Sequence, residues 1–203
     1  MDIRPITLEG RHVRLEPLSL AHLNALAAVA IDPALWRWSQ SHMASPEDLR
    51  RYVDAALALQ REGQALPFAI VARGPGGGGG TPDRPVGSTR YGNIDRDNRR
   101  VEVGWTWVAR PWQRTPVNTE AKYLLLRHAF ETLSCVRVEF KTDALNEQSR
   151  RALVRIGAKE EGTFRRHMLT ATGRWRDSVY YSILDDEWPD VKRRLEEKLG
   201  LVA

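Results

Sequence analysis

The stretch from Trp112 to Phe130 (WQRTPVNTEAKYLLLRHAF) leaves the chain little freedom. A tryptophan-rich run with strand character turns through Thr115-Pro116 into a helix with an apolar face. Thr115 is a good helix N-cap, and Pro116 suits the first helical position, where a missing N–H costs nothing. The amides of Val117, Asn118 and Thr119 are then expected to point out of the helix start, an arrangement that binds phosphate.

The remaining chain sets the class. A length of 203 residues with 42% hydrophobic content fits a single domain spanning 1–203 with a substantial core. No apolar run approaches the roughly 18 residues of a membrane span, and Met1 to Pro17 lacks the apolar core of a signal peptide, so no membrane partner is expected. One cysteine, Cys135, cannot form an internal disulfide, so a reducing cytoplasm and a buried structural thiol are the natural reading. A net charge of +5 permits attraction to anions, from nucleic acid to a phosphorylated cofactor. That charge is scattered from Arg4 to Arg194 with no basic run of five or more, so no specific nucleic-acid partner is expected.

Taken in order, Ile6 to Leu18 alternates around Glu9-Gly10 as a strand or hairpin with Val13 and Leu15 inward. Ser19 caps a helix through Ala30. Trp36 and Trp38 follow in a connecting stretch, where they either wall a substrate groove or cover the core. Ser45-Pro46-Glu47-Asp48 starts a helix running to about Glu62. Strands are expected at Pro67–Arg73 and Val86–Ile94, joined by a glycine-rich loop over 74–85 that lacks the Gly-Lys-Ser/Thr of a phosphate loop and reads as a flexible hairpin connection. Arg100–Val108 alternates as a strand, and the helix from Pro116 to about Leu133 presents Ala121, Leu125, Ala129 and Leu133 on one face. A strand at Val136–Thr142, a helix capped by Asn146 and closed by Gly157, a strand pair at Gly162–Leu169 and Trp175–Leu184, and an amphipathic helix at Trp188–Leu199 complete the chain. This is a mixed α/β (α+β type) protein: a largely antiparallel central sheet flanked by helices.

Four segments in this order, VEVGWTWV, QRTPVNTEAKYLLLRHAF, NEQSRRALVRIGAKEEG and GRWRDSVYYSIL, resemble the GNAT N-acetyltransferases. The likeness is to the RimJ/RimL-like branch that acetylates ribosomal-protein N termini. It covers nearly the whole chain and implies acetyl-CoA as donor, its pyrophosphate on the amides after the central strand, an amine acceptor and, as relatives often pair, a homodimer. In the usual family signature Gln or Arg is followed by two residues, Gly, one residue, then Gly or Ala. Here Gln113 keeps the first place, while Pro116 and Asn118 occupy the others. Gln113, Arg114, Thr115, Val117, Asn118, Thr119 and Asn146 are thus the expected cofactor contacts, with Arg114 adding a charge-assisted one.

Acetyl transfer needs an amine without its extra proton, a polarised thioester carbonyl and a proton for the departing thiolate. An α-amino group, with a pKa near 7.7–8.0, is about a tenth neutral at pH 7, whereas a lysine is neutral below about one part in a thousand. Glu102, on the strand leading to the cofactor, is either the base or a solvated strand carboxylate. The resemblance implies that backbone amides from Trp107 through Val108 to Ala109 polarise the carbonyl. The tyrosine that many relatives use as acid corresponds to Leu153. Ser149 instead matches a serine that the ribosomal branch uses beside the sulfur, and the glutamate of that branch corresponds to Met168. Asp177 either binds an acceptor ammonium or pairs with Arg174 or Arg176. No metal-ligand spacing is present. The expected enzyme is an N-acetyltransferase acting by direct transfer; its rivals are another acyl donor such as succinyl-CoA, a small-molecule amine acceptor, and a non-catalytic acyl-CoA-binding protein.

Overall fold

The strand-forming runs condense into one eight-stranded sheet in the computed structural model, which describes residues 1–74 and 82–202. Its strands are β1 (Leu8–Glu9), β2 (Val13–Pro17), β3 (Leu66–Ala72), β4 (Arg84–Asp95), β5 (Arg100–Val108), β6 (Arg137–Asp143), β7 (Lys159–Leu169) and β8 (Trp175–Leu184). They lie in the order β1-β2-β3-β4-β5-β6-β8-β7, and every neighbouring pair is antiparallel except β5 with β6. The glycine-rich loop expected at 74–85 falls largely on residues 75–81, outside the described residues.

Helices cover both faces. On β3, Phe68 and Ile70 join one core while Ala69 and Val71 join another, so period-two alternation sends consecutive side chains to opposite layers. One layer holds α4 (Pro116–Arg127), α5 (Glu147–Arg155) and α6 (Trp188–Leu199). The other holds α1 (Leu23–Ala30), α2 (Pro33–Trp36) and α3 (Pro46–Arg61). The expected helix from Ser19 divides: Leu20–His22 form a 3-10 turn before α1, and Leu20 is exposed. A short helix, α2, stands where a connection was expected, because Asp32 caps the Ala34 amide and Pro33 takes the first helical position.

The central helix is anchored from beneath. Glu120 of α4 is buried, and its carboxylate accepts hydrogen bonds from the amides of Arg11 (2.9 Å), His12 (2.6 Å) and Val13 (2.8 Å) at the β1–β2 turn. Gly10 fits over it because a Cβ there would lie 2.6 Å from that carboxyl group. At its far end the helix does not run on as α to Leu133. The Tyr91 hydroxyl donates to the Leu125 carbonyl (2.5 Å), and His128–Thr132 form a π turn, a side chain inserted into the ladder being one cause of such widening.

Candidate active site

The cleft begins where the one parallel pairing fails. β5 and β6 pair only through Arg100↔Arg137, Val101↔Val138 and Glu102↔Glu139, and beyond Glu102 the strands diverge. A bulge against β4 follows, with Arg90 opposite Gly104 and Ser88 opposite Trp107, and Trp105 takes a positive φ of 49°. The Ala109 amide donates to the Val86 carbonyl (2.8 Å). Strand alternation therefore turns the Trp107 amide to β4 as well and aims the Val108 amide into the gap. This corrects the expected trio of Trp107, Val108 and Ala109: only Val108 offers its amide to the cleft, and the Gln113 side chain steadies its carbonyl from the same side (2.9 Å). Trp107 contributes its indole N–H, which is buried without a partner. Gly87 makes this approach possible, since a Cβ there would stand 2.1 Å from the Trp107 carbonyl oxygen.

The helix start is narrower than expected. Thr115 caps α4 by accepting the Val117 amide at 3.3 Å. Of the three expected donors Val117 is taken up by this cap, while Asn118 keeps a free amide. Arg114, in the left-handed region at φ 62°, and Thr115 have amides with no protein acceptor among the described residues. The Asn118 side-chain oxygen is also buried without a partner.

Together these elements enclose a cleft of about 990 Å³ between the splayed strands. Trp36 and Trp38 both line it. Trp36 is also core: it donates from its indole to the Ala30 carbonyl (2.8 Å) and packs against Trp107 and Tyr52. Gln113, Arg114, Thr115 and Asn118 line one wall. Asn146 and Ser149 line the other; Asn146 caps α5 through the Ser149 amide (3.1 Å), and the Ser149 hydroxyl has no protein partner among the described residues. Leu153, the counterpart of the family tyrosine, reaches the same wall.

Two expected residues lie elsewhere. Glu102 is 3% exposed and does not line the cleft; Asn93 donates to it (2.7 Å) and Lys141 pairs with it (3.3 Å), so it is a held carboxylate and not a solvated one. Asp177 also lies off the cleft lining. Its carboxylate accepts the Arg166 amide (2.6 Å) at a β7 bulge, while Arg174 pairs with Asp143 and Arg176 bonds Ser178, which answers the expected ion pair in the negative. Cys135 is buried, and burial pushes its thiol up to about 11.

The sequence reading missed two cations in the cleft. Lys122 of α4, 7% exposed, donates to the Thr106 hydroxyl (2.9 Å), and burial lowers its ammonium pKa to about 7. Arg176 of β8, 8% exposed, donates to the Ser178 hydroxyl (3.1 Å) and has no carboxylate within ion-pair distance among the described residues; burial lowers its pKa too. A signal for Lys122 exists: Thr115, Asn118 and Lys122 recur at i, i+3 and i+7, one stripe of the helix.

A strand pair opened beside a capped helix start, with unspent amides facing the gap, is the arrangement for which comparison is informative. The acetyltransferase (GNAT) domain model matches residues 12–159. The chain belongs to the GNAT acetyltransferase family. Members of this family transfer acetyl from acetyl-CoA to amines, which makes acetyl-CoA the donor substrate of this enzyme. An acetyltransferase structure from T. thermophilus is 40% identical, with a TM-score of 0.85, covering 98% of this chain and 100% of that one. Mycobacterium smegmatis RimJ, solved in complex with CoA-disulfide, is 25% identical with a TM-score of 0.81, covering 96% of this chain and 95% of that one. YdaF of Bacillus subtilis (strain 168), named as a ribosomal N-acetyltransferase, is 39% identical over 100 residues, 49% of this chain and 54% of YdaF. The match thus spans about half of that relative.

The GNAT cleft fits such a donor on its own residues. The amides of Arg114, Thr115 and Asn118, with the Arg114 side chain beside them, suit a pyrophosphate. The Val108 amide and the unpartnered Trp107 indole and Asn118 oxygen are donors and acceptors that a pantetheine chain can satisfy.

Proposed function

We propose that this enzyme acetylates the α-amino group of a protein or peptide N terminus in the cytoplasm, in the manner of the RimJ/RimL-like branch. What carries the reading is the cleft of about 990 Å³, whose lining runs from Arg114 and Thr115 at the helix start to Trp36 and Trp38. An α-amine acceptor also asks least of the protein, since lysine would demand about 3–4 kcal/mol more to shed its proton. The name of YdaF and the RimJ likeness support the same acceptor class. In this reading Arg114, Thr115 and Asn118 hold the pyrophosphate, Val108 orients the acyl arm, and the Ser149 hydroxyl hydrogen-bonds the sulfur. Trp36 and Trp38 flank the acceptor. No helix among the described residues is long and apolar enough to cross a membrane. The enzyme works as a homodimer and reads no nucleic-acid sequence. The largely exposed edge strand β7, with Phe164 and neighbouring Trp175 on its hairpin, supports a pairing surface.

A second reading rests on Arg176. A buried guanidinium without a carboxylate partner favours a carboxylate on the acyl chain, as in succinyl-CoA. Thiol release from acetyl-CoA and succinyl-CoA, measured against N-terminal peptides, free amino acids and small amines with mass analysis of the products, tests both. Turnover of small amines alone refutes the peptide acceptor, and light scattering of the purified enzyme tests the dimer.

A further inference from the structure

Glu102 and Ser149 leave the proton unaccounted for. The Glu102 side chain is not part of the cleft lining, and Asn93 and Lys141 both engage its Oε2. A serine hydroxyl donates a hydrogen bond but does not hold an extra proton at neutral pH. Lys122 differs on both counts. It lines the cleft one turn beyond Asn118; among the described residues its Nζ hydrogen-bonds only the Thr106 hydroxyl, and it lies 5.5 Å from the centre of the Phe140 ring. Thr106 donates to the Gly104 carbonyl (3.3 Å) and meets the Thr89 hydroxyl (2.8 Å), so its oxygen is an acceptor for Lys122 and the rest of the amine is left to the cleft.

We propose that Lys122 is the catalytic residue that carries the proton: its neutral amine takes it from the attacking acceptor nitrogen and returns it to the departing sulfur. The step rests on acetyl transfer itself and not on which amine is the acceptor. The nitrogen–carbon bond forms, one N–H proton passes to Nζ, the carbon–sulfur bond breaks with its electron pair leaving on sulfur, and the proton moves from Nζ to that sulfur. Lys122 ends as it began, and the products are an amide and a free thiol. Nitrogen and sulfur sit on the same carbon during the exchange, so one amine reaches both.

The surroundings suit the task. On β5 Glu102 favours the ammonium, but it is already bonded by Asn93 and Lys141. Lys141 on β6 and Arg176 on β8 are like charges, Arg90 on β4 is stacked on Tyr52 and Trp105, and His167 on β7 is shifted down by burial and by Lys141 and Arg176. With burial holding the Lys122 amine near 7, both protonation states are populated at neutral pH, close to an α-amine at about 7.7–8.0 and a thiol at about 8.5.

The test compares wild type with Lys122→Met, which keeps the volume, and Lys122→Arg, which keeps charge but does not release a proton. Two readouts are used: pH profiles of turnover with an N-terminal peptide, and the ultraviolet titration of the CoA thiol bound to each protein without any acceptor. Lys122→Met is expected to lower kcat by about 10²-fold or more, with the acetyl-CoA KM within about threefold, and Lys122→Arg is expected not to restore it. Bound CoA should ionise at lower pH on wild type than on Lys122→Met. Turnover of Lys122→Met within about threefold of wild type, or thiol titrations that coincide, overturns the proposal. If no peptide is turned over, the acceptor reading fails separately and the thiol titration alone decides for or against Lys122.

Discussion

Replacing Lys122 by methionine should make the protein more stable at neutral pH. An amine whose pKa moves from 10.5 unfolded to about 7 folded opposes folding wherever the unfolded chain holds the proton more tightly. At about 1.36 kcal/mol per pKa unit the full penalty is about 5 kcal/mol. The lost bond to Thr106 returns about 1 kcal/mol, and Thr106 still has Thr89 as a partner, so a net gain of about 2–4 kcal/mol is expected. The sign with pH follows from linkage. Below about pH 7 the lysine is charged in both states and the penalty is complete; between about 7 and 10.5 the folded state binds fewer protons, so wild-type stability recovers as pH rises. Urea denaturation of both proteins at several values from about pH 6 to 10 measures this. The gap should be widest at and below neutrality and should close toward pH 10. A variant less stable than wild type at pH 7, or a gap independent of pH, would refute the reasoning. Paired with a fall in turnover, the gain would mark a residue retained at a cost in stability.

Glu120→Gln replaces a carboxylate that satisfies three amides with a group able to satisfy fewer, and should cost about 3 kcal/mol in urea unfolding; a loss below about 1 kcal/mol would mean the β1–β2 turn is held by other contacts. Gly87→Ala drives a Cβ to within 2.1 Å of the Trp107 carbonyl, so β4 and β5 must separate, and CoA affinity should fall by at least about tenfold by calorimetry. Ser149→Ala should lower turnover more than acetyl-CoA affinity, and an unaltered kcat removes Ser149 from the sulfur.

Local chemistry made much of this fold legible. Caps and first-turn prolines placed the starts of α3 and α4 at Ser45-Pro46 and Thr115-Pro116, and Asn146 placed α5. Alternation located β5, and the Trp175–Leu184 and Trp188–Leu199 bounds agree with β8 and α6. The same rules apply to Asp32-Pro33, but four residues carry too little periodicity to separate a helix from a turn. The cofactor, acyl-transfer chemistry and GNAT fold also followed from the order of motifs. What was not legible is non-local. Whether Glu102 faces water or Lys141 depends on β6, thirty-nine residues along the chain, and the point at which β5 leaves β6 has no signature in either strand.

Lys122 shows how composition narrows such a gap. Of 31 basic residues only five are lysine, so this chain supplies positive charge almost entirely as arginine. Arginine keeps its proton throughout the working range, and it serves in the cleft as Arg114 at the helix start and Arg176 on β8. A lysine on the Thr115–Asn118–Lys122 stripe is a departure from that habit, in a helix whose adjoining positions are Tyr123, Leu124, Leu125 and Leu126. Methionine or leucine there would pack, and arginine would hold a fixed charge. What lysine alone adds, with burial and no carboxylate within ion-pair distance among the described residues, is an amine that can give up its proton near pH 7.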